Sequence, residues 1–315
     1  VYETGEVKTL NYPIDEDKVV FVSIAPIKAG DRGNSRLGVV GLFQDISELE
    51  RLERVRRDYV ANVSHELRTP LTAIQGLLEP LSDGLVKDEP TVKRYYSIMY
   101  HEVKRLSRLI SDMMEISRLQ SRNDALVKTE IDVCGIAADV RENFIVQASE
   151  KRITLGIDCE SKEMIAYSDP DRVEQMMIIF IDNAMRYTPA GGSIIIGIKD
   201  TDEERFIVSV ADSGTGIPKK DLPHIFERFY KVDKSRREGG TGLGLSIASQ
   251  ITDMLGEKLW VESEQGHGTT FFFTLRKPPK TVRGQSELSI DTAEDETRRE
   301  GPAEGTVDAD FQIIK

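Results

Sequence analysis

The stretch Ser64-His65-Glu66-Leu67-Arg68-Thr69-Pro70 decides how this chain is read. It sets a histidine beside an acid, with a threonine one helical turn on and a proline directly after. The surrounding pattern is helical from Ser47 to about Asp83. Leu49, Leu52, Val60, Val63, Leu67, Leu71, Ile74, Leu78 and Leu81 fall at spacings compatible with one apolar stripe. His65 lies off that stripe, so it is expected to face solvent, where a neutral imidazole is a usable nucleophile near neutral pH. Thr69 shares its face at i+4, whereas Glu66 at i+1 reaches the ring only from its flank. Pro70 cannot donate to the carbonyl of Glu66 and crowds it, which predicts a bend one turn from the histidine. An interior proline costs ~3 kcal/mol, which a purely structural helix has little reason to tolerate. At the helix start, Ser47 and Glu50 read as a capping box.

Asp83-Gly84 ends this helix, and a second begins near Pro90-Thr91 and runs to about Gln120. Its stripe is Val92, Tyr96, Met99, Val103, Leu106, Leu109, Met113, Ile116 and Leu119. Two such helices form a hairpin that cannot bury a wide stripe alone. Pairing two hairpins into a four-helix bundle solves the problem, which predicts a homodimer through residues 48–120.

The bulk composition narrows the classes. A chain of 315 residues has room for two or three domains, and 39% hydrophobic with 30% charged residues describes a soluble globular protein. The longest run of large apolar residues, Met176 to Ile181, is far too short to cross a bilayer. A net charge of -12 argues against a general nucleic-acid binder. Cys134 and Cys159 lack metal-ligand spacing and read as buried free thiols of a reducing compartment. His101, His224 and His267 form no pair at metal-ligand spacing and read as ordinary surface or turn residues.

Residues 1–46 read as strands, Val19 to Ile24 and Leu37 to Phe43, joined by a turn at Gly30 to Asn34. From Glu130 onward helices and strands mix. Helices are expected at Ile136–Lys151, Pro170–Tyr187 and Leu243–Leu255. Strands are expected at Ile153–Cys159, Ile194–Lys199, Phe206–Val210, Leu259–Glu262 and Thr269–Leu275. This is an α+β layer, a mixed sheet with helices on one face. Residues 278–315 carry many charges and few large apolar residues and read as a disordered tail.

Three segments in this layer have the character of a nucleotide site. Asp182-Asn183-Ala184 leads to Arg186, Tyr187 and Thr188. Asp212-Ser213-Gly214-Thr215-Gly216 follows a strand, and glycines there let backbone and ligand approach closely. Gly240-Thr241-Gly242-Leu243-Gly244 opens a helix, whose N-terminal N–H groups favour phosphate. Each is weak alone; in this order, after the histidine helix, they are specific. Between the glycine segments lies Ile225-Phe226-Glu227-Arg228-Phe229-Tyr230. From Arg228 to Arg237 stand the cations Arg228, Lys231, Lys234, Arg236 and Arg237 against a single anion, Asp233. On an acidic chain such a cluster suits a triphosphate.

Over about residues 48–276 these motifs resemble the sensor histidine kinases of two-component signalling, closest to the PhoR-like and WalK-like group. The resemblance implies an α+β multidomain chain. Residues 1–46 would be the end of a PAS-like domain, with a generic β-hairpin as the alternative. A dimerisation and phosphotransfer hairpin would cover 47–121, and an ATP-binding α/β sandwich of the Bergerat type 122–277. It implies that His65 is phosphorylated from ATP, that Glu66 is the base orienting it, and that Thr69 serves hydrolysis of the phosphorylated partner. Asp212 would bind the adenine amino group, Tyr187 would pack on the base, and Asn183 and Arg186 would approach the phosphates. Gly214, Gly216, Arg228, Lys231, Gly240, Thr241, Gly242, Leu243 and Gly244 would complete the nucleotide site. Mg²⁺, a response regulator receiver domain, and a cytoplasmic portion of a bacterial sensor anchored upstream in the membrane are implied as well.

Two positions depart from the family pattern. Lys231 stands where many relatives carry arginine, which keeps charge but loses bidentate geometry. Ile179 stands four residues before Asn183, where the family places a magnesium ligand, and isoleucine offers no oxygen to a hard cation. This motivates a second reading, an ATP-impaired dimeric scaffold or phosphatase-only form. A third, an ATPase clamp of the Hsp90 type, is disfavoured by the helix bearing His65 and the lack of a downstream clamp domain.

Overall fold

The computed structural model describes residues 1, 4, 6–15, 17–28, 36–120, 126–161, 164–201, 204–232 and 240–279. The expected turn at Gly30 to Asn34, the cations Lys234, Arg236 and Arg237, and the tail from residue 280 onward lie outside the described residues.

The chain opens with an antiparallel sheet of β1 (Lys8–Pro13), β2 (Val19–Lys28) and β3 (Arg36–Asp45), in that order. Its first strand is six residues long and exposed throughout, and its alternation is confined to Leu10 and Tyr12, too short a signal for the sequence pattern to mark it. Helices α1 (Ser47–Ser82) and α2 (Glu89–Gln120) follow and pack as a hairpin. The expected capping box is not formed. Ile46 precedes the helix without a side-chain cap, and the Ser47 hydroxyl is taken up instead by Asp45 Oδ1 and by the backbone of Val19. Helix α1 continues through both Pro70 and Pro80, and Pro70 is its one buried residue. Helix α2 buries only Leu109 and Ile116. Most of the apolar stripe therefore lies open, with Leu49, Leu52, Val60, Leu71 and Leu78 of α1 exposed.

The α/β layer is a five-stranded sheet in the order β5 (Thr154–Cys159), β7 (Ser193–Asp200), β8 (Arg205–Asp212), β10 (Gly268–Arg276), β9 (Leu259–Glu264). Only the β5–β7 pair is parallel. Helices α3 (Val133–Lys151), α4 (Pro170–Tyr187) and α5 (Gly244–Leu255) complete the layer, with α3 and α4 packed on the sheet and α5 on α4. Strand alternation sets the packing face. Ile194, Ile196 and Ile198 of β7 are fully buried, while Ile195 between them is exposed. Opposite them α4 inserts Met176, Met177, Phe180, Ile181 and Met185, and Phe180 stacks on Phe271 at 5.1 Å between ring centroids. Asp169 caps α4 through Oδ1 to the N–H of Arg172, and its other oxygen accepts from the N–H of Val127. Two four-residue strands, β4 (Thr129–Asp132) and β6 (Ile165–Ser168), form a separate small sheet. They are too short for a periodic pattern to reveal.

The cysteines correct the expectation of free thiols. Cys134, in the first turn of α3, and Cys159, the last residue of β5, are joined as a disulfide with Cα atoms 6.4 Å apart. Packing of α3 on β5 brings them together, and a separation of 25 residues carries no sign of it. Among the described residues no helix is long and apolar enough to cross a membrane.

Phe180 is the side chain on which both layers meet. Phe180→Ala is expected to lower unfolding free energy by about 3–5 kcal/mol, measured by denaturant titration. A loss below that range would mean that the neighbouring Phe271 and Phe273 collapse into the space.

Candidate active site

A cavity of about 1020 Å³ opens between the end of α4, the turn after β8, the start of α5 and one face of α2. Asp212 ends β8, and its Oδ1 accepts a 2.8 Å hydrogen bond from the N–H of Gly214. Burial pushes this carboxyl above the ordinary aspartate range, opposed by the N–H groups of Gly214 and Thr269. The loop closes so tightly that a Cβ on Gly214 would lie 2.6 Å from Asp212 Oδ1 and 2.7 Å from the carbonyl of Tyr187. Gly216 has φ +65, and a Cβ there would fall on the carbonyl of Glu264. These two glycines are thus required by geometry. A half-buried acceptor lining a cavity suits a ligand that presents N–H donors.

The α4 side supplies Asn183, Arg186 and Tyr187, all lining the cavity and all half-buried. They cluster because the helix brings residues three and four apart onto one face. Arg186 pairs with Asp182 at 2.7 Å, one turn back. A Cβ on Gly240 would strike the Arg186 guanidinium, so the second glycine segment is packed against this cation. Gly242 has φ +75 and accepts the N–H of Phe229 at 2.8 Å. Phe229 is itself left-handed, with φ 63. Beyond it, Tyr230 donates to Asp221 Oδ1 at 2.6 Å, which pushes the Tyr230 phenol upward.

Gly216, Lys231, Gly240, Thr241, Gly242 and Gly244 join Asp212 and the α4 residues around the cavity. Gly214 and Leu243 stand just behind its wall, Leu243 fully buried. Arg228 instead lies over the ring of Tyr59 on α1, 5.7 Å from its centroid. His65 is exposed on α1 and does not line the cavity; Thr69 donates to its carbonyl at 3.1 Å. Glu66 faces α2 and the α/β layer. Its Oε2 is 3.0 Å from Arg105 Nη2, and its Oε1 is 2.7 Å from Lys231 Nζ.

The α2 wall is absent from the sequence expectations. His101, Glu102, Arg105, Arg108 and Asp112 all line the cavity. Asp112 Oδ2 accepts from the Thr241 hydroxyl at 2.6 Å, and burial pushes its carboxyl upward, opposed by that hydrogen bond and by Arg108. Nearby Asp182 raises it further and Arg186 lowers it. No periodicity or motif announces these residues, because their role depends on docking of the α/β layer onto α2.

The cavity offers few ligands to magnesium. Ile179 lines it with hydrocarbon, close to the Cα of Gly244. Asp182 is paired with Arg186 and Asp112 with Thr241; Asn183 offers an amide oxygen from α4, and Glu102 on α2 has a carboxylate oxygen without a hydrogen-bond partner. Among the described residues no group of three or more His, Cys, Asp or Glu could hold a metal. This fits magnesium only as an ion held mainly by substrate phosphates and water, with Asn183 as a protein ligand.

Comparison with known proteins matches residues 55–122 to the His Kinase A (phospho-acceptor) domain and residues 168–279 to the histidine kinase-, DNA gyrase B-, and HSP90-like ATPase. The chain is 35% identical to Sensor histidine kinase WalK of Bacillus subtilis over 241 residues, covering 76% of this chain and 39% of that protein. It thus spans about two-fifths of the length of the curated relatives it matches. Histidine kinase ThkA in complex with response regulator protein TrrA superposes with a TM-score of 0.60 at 25% identity, over 89% of this chain and 81% of that one. Full-length ShkA in complex with AMPPNP superposes with a TM-score of 0.53 at 28% identity, over 70% of this chain and 46% of that one.

The raised Asp112 carboxyl sets the sign of a pH effect on docking. A carboxyl raised in the docked state favours docking when protonated, so docking is expected to weaken as pH rises from the ordinary aspartate range through the raised value. Small-angle scattering should show expansion across that window, and Asp112→Asn should flatten the response. An equal response in the variant would place the titrating group elsewhere.

Proposed function

Given that the chain belongs to the sensor histidine kinases of two-component signalling, we propose that it phosphorylates His65 from ATP and passes the phosphoryl group to an aspartate of a response regulator receiver domain. The observation that carries this reading is one cavity. It gathers Asn183, Arg186, Tyr187, Asp212 and both glycine segments, and its rim residue Lys231 reaches Glu66, next to His65 in the chain. Binding of AMPPNP by ShkA and of a response regulator by ThkA supports it.

In this mechanism the Asp212 carboxylate accepts from the adenine amino group and Tyr187 packs on the base. The backbone N–H groups around Gly240 to Gly244, with Arg186, Arg228 and Lys231, meet the phosphates. Magnesium, when bound through Asn183, neutralises phosphate charge. The α/β layer must swing so that the γ-phosphate meets the exposed His65. An imidazole nitrogen then forms its bond to phosphorus as the bond to the bridging oxygen of ADP breaks, and Glu66 orients the ring and takes its proton. Positioning and charge neutralisation supply most of the rate. Thr69 serves the reverse task, hydrolysis of the phosphorylated regulator.

The open stripe of α1 and α2 supports a homodimer through residues 48–120, since exposed Leu49, Leu52, Leu71 and Leu78 leave the hairpin without a core of its own. We assign residues 1–46 to the end of a PAS-like domain, 47–121 to the phosphotransfer hairpin and 122–277 to the ATP-binding domain. The chain is then the cytoplasmic portion of a membrane-anchored sensor. Ile179 favours a second reading, a dimeric phosphatase or scaffold that uses ATP poorly.

The test is incubation with magnesium and ATP, scoring acid-labile phosphate. The parent chain is expected to label, and His65→Ala to fall to background. Labelling of Ile179→Asn alone would establish the second reading. Asp212→Ala is expected to weaken ATP binding about tenfold to a hundredfold, the worth of a hydrogen bond to a charged group. Isothermal titration checks this, and unchanged affinity would remove Asp212 from the site.

A further inference from the structure

We propose that Arg105 is a positioning residue for phosphorylation of His65. It holds the Glu66 carboxylate in place, while Lys231 is the exchangeable partner that leaves Glu66 for nucleotide. This rests on the kinase reading above.

Each oxygen of the Glu66 carboxylate has its own cation, Arg105 Nη2 at 3.0 Å on Oε2 and Lys231 Nζ at 2.7 Å on Oε1. The three side chains are only 18–24% exposed, so the contacts are shielded from bulk water. The two cations differ in what they belong to. Arg105 stands on α2, which packs against α1, so it stays with Glu66 wherever the α/β layer moves. Lys231 stands on the layer, on the rim of the nucleotide cavity, where the phosphates of a bound nucleotide would compete with Glu66 for its ammonium.

The chemistry fits this division. A glutamate one residue after the histidine leaves the helix about 100° around from it, so its side chain must be bent back to serve the ring. An unheld glutamate has several free torsions and spends them in water. Guanidinium is always charged and rigidly planar, and here one terminal nitrogen meets Glu66 while the other faces Glu102. Arg105 is steadied in turn by Glu102, 3.8 Å from its other terminal nitrogen. Lysine is a point charge on a flexible stem, suited to being handed from one anion to another.

The test uses the full chain with Arg105→Ala, Arg105→Lys and Lys231→Ala, each alone and with Glu66→Gln. The rate of His65 labelling is read against ATP concentration. Arg105→Ala is expected to lower kcat at saturating ATP about tenfold or more; because Arg105 also lines the nucleotide cavity, ATP affinity is measured directly beside it, so that the loss in kcat is read apart from any loss in binding. Arg105→Lys should recover part of the loss. In the Glu66→Gln background, removing Arg105 should cost nothing further, because its partner is already gone. Lys231→Ala should raise KM. The proposal is overturned if Arg105→Ala keeps full kcat at saturating ATP, or costs the same in the Glu66→Gln background as in the parent. A parent chain that binds ATP but never labels His65 would sink the kinase reading and this proposal together. A labelling parent confines any failure to Arg105.

Discussion

Two half-buried carboxylates on the hairpin hold the α/β layer against it. Glu66 meets Lys231, and Asp112 meets the hydroxyl of Thr241. Both carboxyls sit where water is partly excluded, which penalises ionisation of Asp112 and makes Glu66 depend on its cations, and Lys231 and Thr241 both belong to segments flanking the nucleotide cavity. The hairpin thereby becomes one wall of that cavity. An incoming polyphosphate would compete for Lys231 and Thr241 with carboxylates already in contact. Docking of the layer and the handling of nucleotide are thus set by the same few charges.

Legibility in the sequence followed the length of each signal. Helices α1 and α2 run for 36 and 32 residues, long enough for an apolar stripe to be unmistakable. Strands β4 and β6 have four residues each, too few for any period. Asp212, Asn183, Arg186 and Tyr187 could be named because the glycine and asparagine segments around them resemble the motifs of a known family. Arg105 and Asp112 could not, since on α2 they read as ordinary solvent-facing charges until the α/β layer is placed. The cysteines failed for a related reason: their pairing is created by α3 lying on β5, a contact between elements rather than a spacing. The Ser47 cap failed because Asp45 competed locally for the hydroxyl.

Ile179 shows how a core and a site can share one helix. Met176, Met177, Phe180 and Ile181 of α4 are fully buried, whereas Ile179 is only half-buried and faces the cavity beside Asn183. Hydrocarbon at that point strengthens packing near Gly244 and removes an oxygen from the ion's surroundings. A magnesium ion bound there would rely mainly on water and on the phosphates of the nucleotide.

Phe229 carries a different kind of information. Its left-handed backbone, at φ 63, costs a residue with a bulky side chain on the order of 1–3 kcal/mol. The conformation is held by its N–H on the Gly242 carbonyl and by its ring lying against Tyr59 of the hairpin, 5.8 Å between centroids. The second of these restraints exists only while the layer lies against α1. An aromatic ring on the hairpin thus helps to hold a strained backbone on the α/β layer, so that the docked contact carries a conformational cost as well as a packing gain.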